Sequence, residues 1–295
     1  MKQLSLLGFC VICLFLSIPD GFCQKIDTPN TKVTYYDEAD HITREIRNFS
    51  PEKAEDQGYF KTVTLFDQYE RTRQTEFYYT EEAIRKDGIT QQIRFFDRNG
   101  HITRIEKAFG PDNTKDPGVR RSIFYLRANG MREKLEIQYS PEAAEESGFN
   151  SITFFYNTDG RKTHETLLHT RTKSKKLGVH ISTITYDPAG LKKNVSWLMT
   201  ESYINEHQIK KVVFHYNNKG LETKQEGHFS DSKATELGYF KTVMYHDQTG
   251  RKVKEERYYL QNNPRAKGYY KGVITFDKNG EIILEEKFDK YGNAF

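Results

Sequence analysis

Set in rows of thirty, the sequence falls into columns without a single insertion or deletion. One column holds Gly100, Gly130, Gly160, Gly190, Gly220, Gly250 and Gly280, with Asp40 and Glu70 in the first two rows. Three residues earlier the column reads Asp37, Asp67, Asp97, Arg127, Asn157, Asp187, Asn217, Asp247 and Asp277. A second glycine column runs Gly58, Gly88, Gly118, Gly148, Gly178, Gly238 and Gly268, with Gln208 as its one departure. Nine such units follow the first two dozen residues. A unit this short cannot bury a core by itself, so its apolar surface must be covered by the units before and after it. That requirement favours an array whose contacts run mainly between neighbours, and whose ends are its least stable parts.

Within a unit, runs such as "YFKTVTLFD" and "YYKGVITFD" are rich in β-branched and aromatic residues and read as strands. The Asp-x-x-Gly that follows is a reversal: the acid accepts backbone N–H bonds and glycine supplies a positive φ. Runs such as "HITRIEKAF" and "RKVKEERYY" then return as a second strand. In the connectors "SPEKAEDQG" and "SPEAAEESG", Ser50 or Ser140 sits at a helix N-cap, Pro51 or Pro141 at the first helical position, and glycine just past the end. The connectors "GPDNTKDPG" and "LQNNPRAKG" keep the length, but Pro117 and Pro264 predict no helix there. The expected fold is mainly β, an elongated antiparallel repeat sheet of about nine 30-residue units, each a β-hairpin plus a short helical connector. Eighteen strands at the usual spacing would extend about 80 Å before twist shortens them.

The opening residues have Lys2, an apolar run from Leu4 to Ile18 and then Pro19-Asp20-Gly21, the anatomy of a secretory signal peptide. The apolar run is shorter than the roughly 20 residues a membrane-spanning helix needs, and no later stretch reaches that length. Gly21 and Cys23 place cleavage before Gln24, so 1–23 reads as a signal peptide and 24–295 as a single repeat domain, secreted or periplasmic. A lipid-modified Cys23 is the alternative. Cys10, Cys13 and Cys23 all lie in this leader, which leaves the mature chain without disulfides or thiolate metal sites. A net charge of +4 makes no electrostatic case for nucleic acid.

If the turn is a type I turn closed by a glycine bulge, the column Val33, Val63, Ile93 shares a buried face with Phe49, Tyr79 and Phe109. The opposite face then carries an aromatic ladder, Tyr36, Phe66, Phe96, Tyr156, Tyr186, Tyr216 and Phe276, beside a column of Glu76, Glu106, Glu136, Glu226, Glu256 and Glu286. This ladder and Trp197, the single tryptophan, are the candidate binding residues. Rings recurring among charges can stack on sugars or grip an extended partner, or simply fill the space between twisted hairpins.

The strings "YDPAG", "FDKNG" and "HDQTGR" resemble the core of YD repeats of the RHS family, and "FFDRNGHITRIEKAF" is similar to MORN-variant repeats. RHS-like repeats imply β shells with surface or carbohydrate contacts, and MORN-like repeats imply scaffolding hairpins. The thirty-residue period and the helical connector depart from the usual spacing of both families.

The residues themselves give no catalytic constellation. "DRNG" and "DKNG" offer one or two oxygens where calcium takes six to eight, and turn formation accounts for them. The glutamate column alternates with lysines and arginines, as a cross-strand charge ladder does. His164 and His169 lie on one predicted strand with side chains on opposite faces, so they cannot share a metal ion. The basic run Arg171 to Lys176 reads as a solvated connector or an anion patch. No cofactor is expected. The expected function is that of an exported non-catalytic repeat protein, a binding or scaffold module for a protein or polysaccharide of the envelope or surroundings. The alternatives are a self-assembling shell or spacer, and a hydrolase of envelope polymers.

Overall fold

The computed structural model describes residues 31–111, 113, 115–260 and 268–295. The expected signal peptide with its three cysteines, and the connector around Pro264, lie outside the described residues.

Nine hairpins follow one another: β1/β2 (Lys32–Tyr36, Ile42–Asn48), β3/β4 (Tyr59–Phe66, Thr72–Tyr79), β5/β6 (Ile89–Phe96, Ile102–Phe109), β7/β8 (Val119–Leu126, Arg132–Tyr139) and β9/β10 (Phe149–Tyr156, Lys162–His169). The rest are β11/β12 (Val179–Tyr186, Lys192–Met199), β13/β14 (Ile209–Tyr216, Glu222–Phe229), β15/β16 (Tyr239–His246, Lys252–Tyr259) and β17/β18 (Lys271–Phe276, Ile282–Phe288). Each strand pairs antiparallel with the next in the chain, making one open sheet of 18 strands. Among the described residues six connectors are seven-residue helices: α1 (Pro51–Gln57), α2 (Glu81–Asp87), α3 (Pro141–Ser147), α4 (Arg171–Leu177), α5 (Glu201–His207) and α6 (Asp231–Leu237). The basic run of the sequence forms α4. As Pro117 predicts, the connector from 110 to 118 has no helix among the described residues.

The turn chemistry follows the columns. The Asp67 carboxylate accepts from the backbone N–H groups of Tyr69 and Arg71 at 2.9 and 3.1 Å, and Asp97 repeats this with Asn99 and His101 at 2.8 and 2.9 Å. The residue that closes each turn is left-handed: Gly100 has φ 83°, and Asp40 and Glu70 adopt 61° and 58° in its place. Glu70 uses its side chain to hold the previous unit, accepting from the Ile42 N–H at 3.0 Å. Gln208, the exception in the second glycine column, has φ 60° and accepts from the Ser230 and Ser232 hydroxyls.

Connectors lock to one another through the backbone. The N–H of Thr80 reaches the Gly58 carbonyl at 3.0 Å, and Gly110 to Gly88, Ser140 to Gly118, Thr170 to Gly148 and Thr200 to Gly178 repeat the bond. The Gly110 bond forms where no helix follows, so the contact depends on connector length rather than on helicity.

The register corrects the expected faces. Each complete hairpin carries two shifts: Phe66 pairs with Thr72 but Leu65 with Gln74, and Lys61 pairs with Tyr78 but Tyr59 with Tyr79. The turn has the expected bulged shape, but the added bulge at Arg73 moves the return strand by one residue and flips its alternation. Val63 therefore stands opposite Glu76, not beside Tyr79, and the aromatic ladder lies on the face away from the glutamates. The second bulge at Phe60 returns Tyr59 and Tyr79 to the ladder's face, where the helices also pack. Among the described residues no second sheet covers either face, and most strand residues are only half-buried. Buried positions are spread along the sheet, beads such as Val63, Ile123 and Val243 and a small cluster of Val179, Met199 and Val212, rather than one continuous core.

Candidate functional site

Across the middle of the glutamate face runs a single file of directly opposed residues, one from every strand. It alternates Val63, Glu76, Ile93, Glu106, Ile123, Glu136 through the early units, and Val213, Glu226, Val243, Glu256, Val273, Glu286 through the late ones. The glutamates are sunk among longer side chains: Glu106 and Glu256 are 8 % and 6 % exposed. Glu106, Glu226 and Glu256 are each paired from both sides, whereas Glu286 on the last strand is exposed. Arg104 and Arg121 meet Glu106; Lys224, Lys241 and His215 meet Glu226; Lys254 binds Glu256 at 3.0 Å while the Tyr258 and Tyr245 hydroxyls donate to it at 2.8 and 3.1 Å. A charge network of this kind holds register, because a one-residue slip would leave a half-buried carboxylate without partners.

Burial opposes ionisation at Glu226, yet the Lys224 ammonium beside it, with help from Lys241 and His215, holds its carboxyl down to about 2. Burial pushes Tyr245 up to about 12, reinforced by Glu256, and it lowers His164, His169, His215 and His228 below the ordinary value of 6.5. Below pH 6.5 the unfolded chain therefore binds protons at these histidines before the folded chain does, and below about 4.5 it does so at Glu226. Stability present at neutral pH should fall in two stages on acidification, through the histidine range and then between about 4.5 and 2. Melting curves at stepped pH check this: Glu226→Gln should flatten the lower stage, and equal melting temperatures at pH 7 and 3 would contradict it.

The file changes character in the middle of the sheet. On β9 to β12 it reads Thr153, Thr166, Thr183, Ser196. Flanking residues on that face change with it: Leu168, Ile181 and Leu198 lie to one side, Phe155, His164, Thr185 and Asn194 to the other. At the paired positions of this face these four strands present no Asp, Glu, Lys or Arg; the bulged Lys193 of β12 acts on His215, which faces Asn194, and the stretch is bounded by Glu136 and Lys134 on β8 and by Lys211 on β13. His164 stacks on Phe155 with ring centres 4.0 Å apart and planes 12° off parallel, and its lowered pKa leaves it neutral. Thr185 Oγ1 and Asn194 Oδ1 have no hydrogen-bond partner. Sequence columns alone could not locate this window, because the bulge at Arg73 and its equivalents decides which residues share a face.

The aromatic ladder proves to be occupied from within. The first residue of the preceding return strand lays its cation over the ring: Arg132 over Tyr156 at 5.3 Å, Lys162 over Tyr186 at 4.1 Å, Lys192 over Tyr216 at 3.9 Å and Lys252 over Phe276 at 4.0 Å. Where the ladder carries His246, the equivalent partner is Glu222, 3.6 Å away. Chemistry on the two sides is matched unit by unit, as packing between hairpins requires. Tyr36, Phe66 and Phe96 are half-buried in the same column. Trp197 belongs to the ladder's face, opposite Ser182 and Val212; it is 37 % exposed and meets Phe214 edge-on at 4.7 Å.

His164 and His169 do point to opposite faces, the latter bonding Ser182 Oγ at 2.8 Å. Among the described residues no group of His, Cys, Asp and Glu is arranged to hold a metal ion, and no helix is long and apolar enough to cross a membrane.

No described protein family and no curated protein matches the sequence. Among solved structures, the crystal structure of TcdB2-TccC3 aligns with 90 % of this chain and 15 % of that one, at 11 % identity and a TM-score of 0.18. The same complex without its hypervariable C-terminal region gives 12 % identity over 90 % and 16 % of the two chains, with a TM-score of 0.16. The present chain thus spans less than a fifth of the chains it matches, and neither likeness bears on its family, partners or activity.

Proposed function

We propose that this protein is an exported, non-catalytic array of YD-like or MORN-like hairpins that serves as a binding module for an uncharged polymer of the cell envelope or surroundings. The observation that carries the reading is the stretch on β9 to β12 whose paired positions carry no charge, set in an otherwise charged face with Lys193 at its margin. Hydroxyls at strand spacing, two polar atoms without partners, and a flat ring pair suit a neutral polysaccharide lying across the strands. The ladder rings, already covered by cations, are assigned to packing. A glycan and envelope-protein array with the full chain and with Thr166→Lys/Ser196→Lys tests this. Retention of uncharged glycans that the double variant loses, at unchanged melting temperature, is the expected result. Binding carried only by charged polymers, or surviving in the variant, would overturn it.

A self-assembling spacer is the second reading, favoured by one edge. β18 exposes Ile282, Ile283 and Leu284 at 60, 65 and 49 %, where the equivalent residues of β16 are Lys252, Val253 and Lys254. End strands ordinarily carry polar residues to prevent pairing with other chains. Sedimentation of the full chain and of Ile283→Lys separates the readings, since only a spacer would dissociate on that change.

A further inference from the structure

A cavity of about 480 Å³ opens on the ladder's face over β5 to β8. Its apolar walls are Ile89, Phe109, Val119, Phe124, Leu135 and Ile137. At β3 and β15 the sheet fills this place with a ring. Tyr59 packs against Phe49, Phe77 and Tyr79 at 5.4, 5.2 and 6.4 Å, and Tyr239 against Phe229 and Tyr259 at 5.6 and 5.8 Å. Ile89 and Val119 stand in the column of those tyrosines without the ring. Val179 and Ile209 stand in it too, but they belong to one apolar cluster with Tyr203 and Ile204 of α5. No helix among the described residues does this between β6 and β7.

The polar lining has a direction. Ser122 is 6 % exposed, lines the cavity, and its Oγ has no partner. Lys107 also lines it, with its ammonium 5.5 Å from the centre of the Phe124 ring. Of the other charges, Lys115 and Asp87 neutralise each other in an ion pair, and Asp116 is exposed at the rim. We propose that this cavity is a binding site for a small aromatic acid: its phenol-sized ring takes the place of the missing tyrosine, and its carboxylate meets Lys107 and the Ser122 hydroxyl. Apolar walls with few convergent polar groups, at this volume, are the ordinary make-up of a small-molecule site.

The test uses the full chain with two probes, p-cresol, which is the tyrosine side chain itself, and 4-hydroxyphenylacetate. Calorimetry gives affinities, and methyl NMR follows Ile89, Val119, Leu135 and Ile137. Both probes should shift these methyls saturably, with the acid about tenfold tighter, the effect of one charge-assisted hydrogen bond. Lys107→Met should erase that difference and leave cresol binding intact. Ile89→Tyr should abolish both and raise the melting temperature; should that variant fail to fold, the wild-type methyl shifts still decide. Absence of saturable shifts at these methyls, or an acid no tighter than cresol, would overturn the proposal.

Discussion

Val243→Asp should cost more than about 4 kcal/mol and unfold the C-terminal part of the sheet, whereas Val243→Thr should cost about 1 kcal/mol. Val243 is 2 % exposed and stands directly between Glu226 and Glu256 in the central file. Aspartate there would bury a third carboxylate in line with two others, a strand spacing from each. Threonine keeps the shape and adds only a hydroxyl, and Thr153 and Thr183 occupy this same column. Urea unfolding measures the two costs, and hydrogen exchange locates them: protection should collapse from β13 to β18 and persist in β3 to β8. An aspartate variant no worse than the threonine one would show that the file is not electrostatically coupled.

Excising residues 171–200 should leave a folded sheet, and excising 186–200 should not. The first deletion removes α4, β11 and β12 and joins Thr170 to Glu201, the residue that follows the equivalent Thr200. β10 would then meet β13 in the register now used between β12 and β13, with sixteen strands left of the eighteen. Only nearest-neighbour interfaces are exchanged, so the loss should be a few kcal/mol at most. The second deletion removes β12 alone, so β11 and β13, which run in the same direction, become chain neighbours across a connector that now joins only antiparallel strands. Circular dichroism and sedimentation should show a cooperative monomer in one case and aggregate in the other. Equal behaviour of the two would mean that the period has no structural force.

The period was the legible part, and the reason is local. Turns at Asp67 or Asp97, helix starts at Ser140 and helix ends at Gly148 depend on residues adjacent in the chain, so columns reveal them. Even the connector at 110–118, which has no helix among the described residues, follows from Pro117. What escaped was set by one unpaired residue per hairpin. Nothing in Arg73 itself announces a bulge, yet it turns Glu76 toward Val63 and separates the glutamates from the ladder. The uncharged file on β9 to β12 and the cavity over β5 to β8 both depend on that alternation, and both arise where neighbouring units differ. Similarity between rows exposed the scaffold; differences between rows, read on the correct face, expose the candidate sites.

The strict neighbour-to-neighbour pairing from β1 to β18 also fixes how the molecule would carry a load. With the first and last strands at opposite edges, tension between them acts across the ladders instead of along them. Hydrogen bonds loaded in that direction fail singly, like the teeth of a zip, and at far smaller pulls than bonds sheared together. Each hairpin so released would pay out about 100 Å of chain, so under such a pull the sheet would lengthen in even instalments.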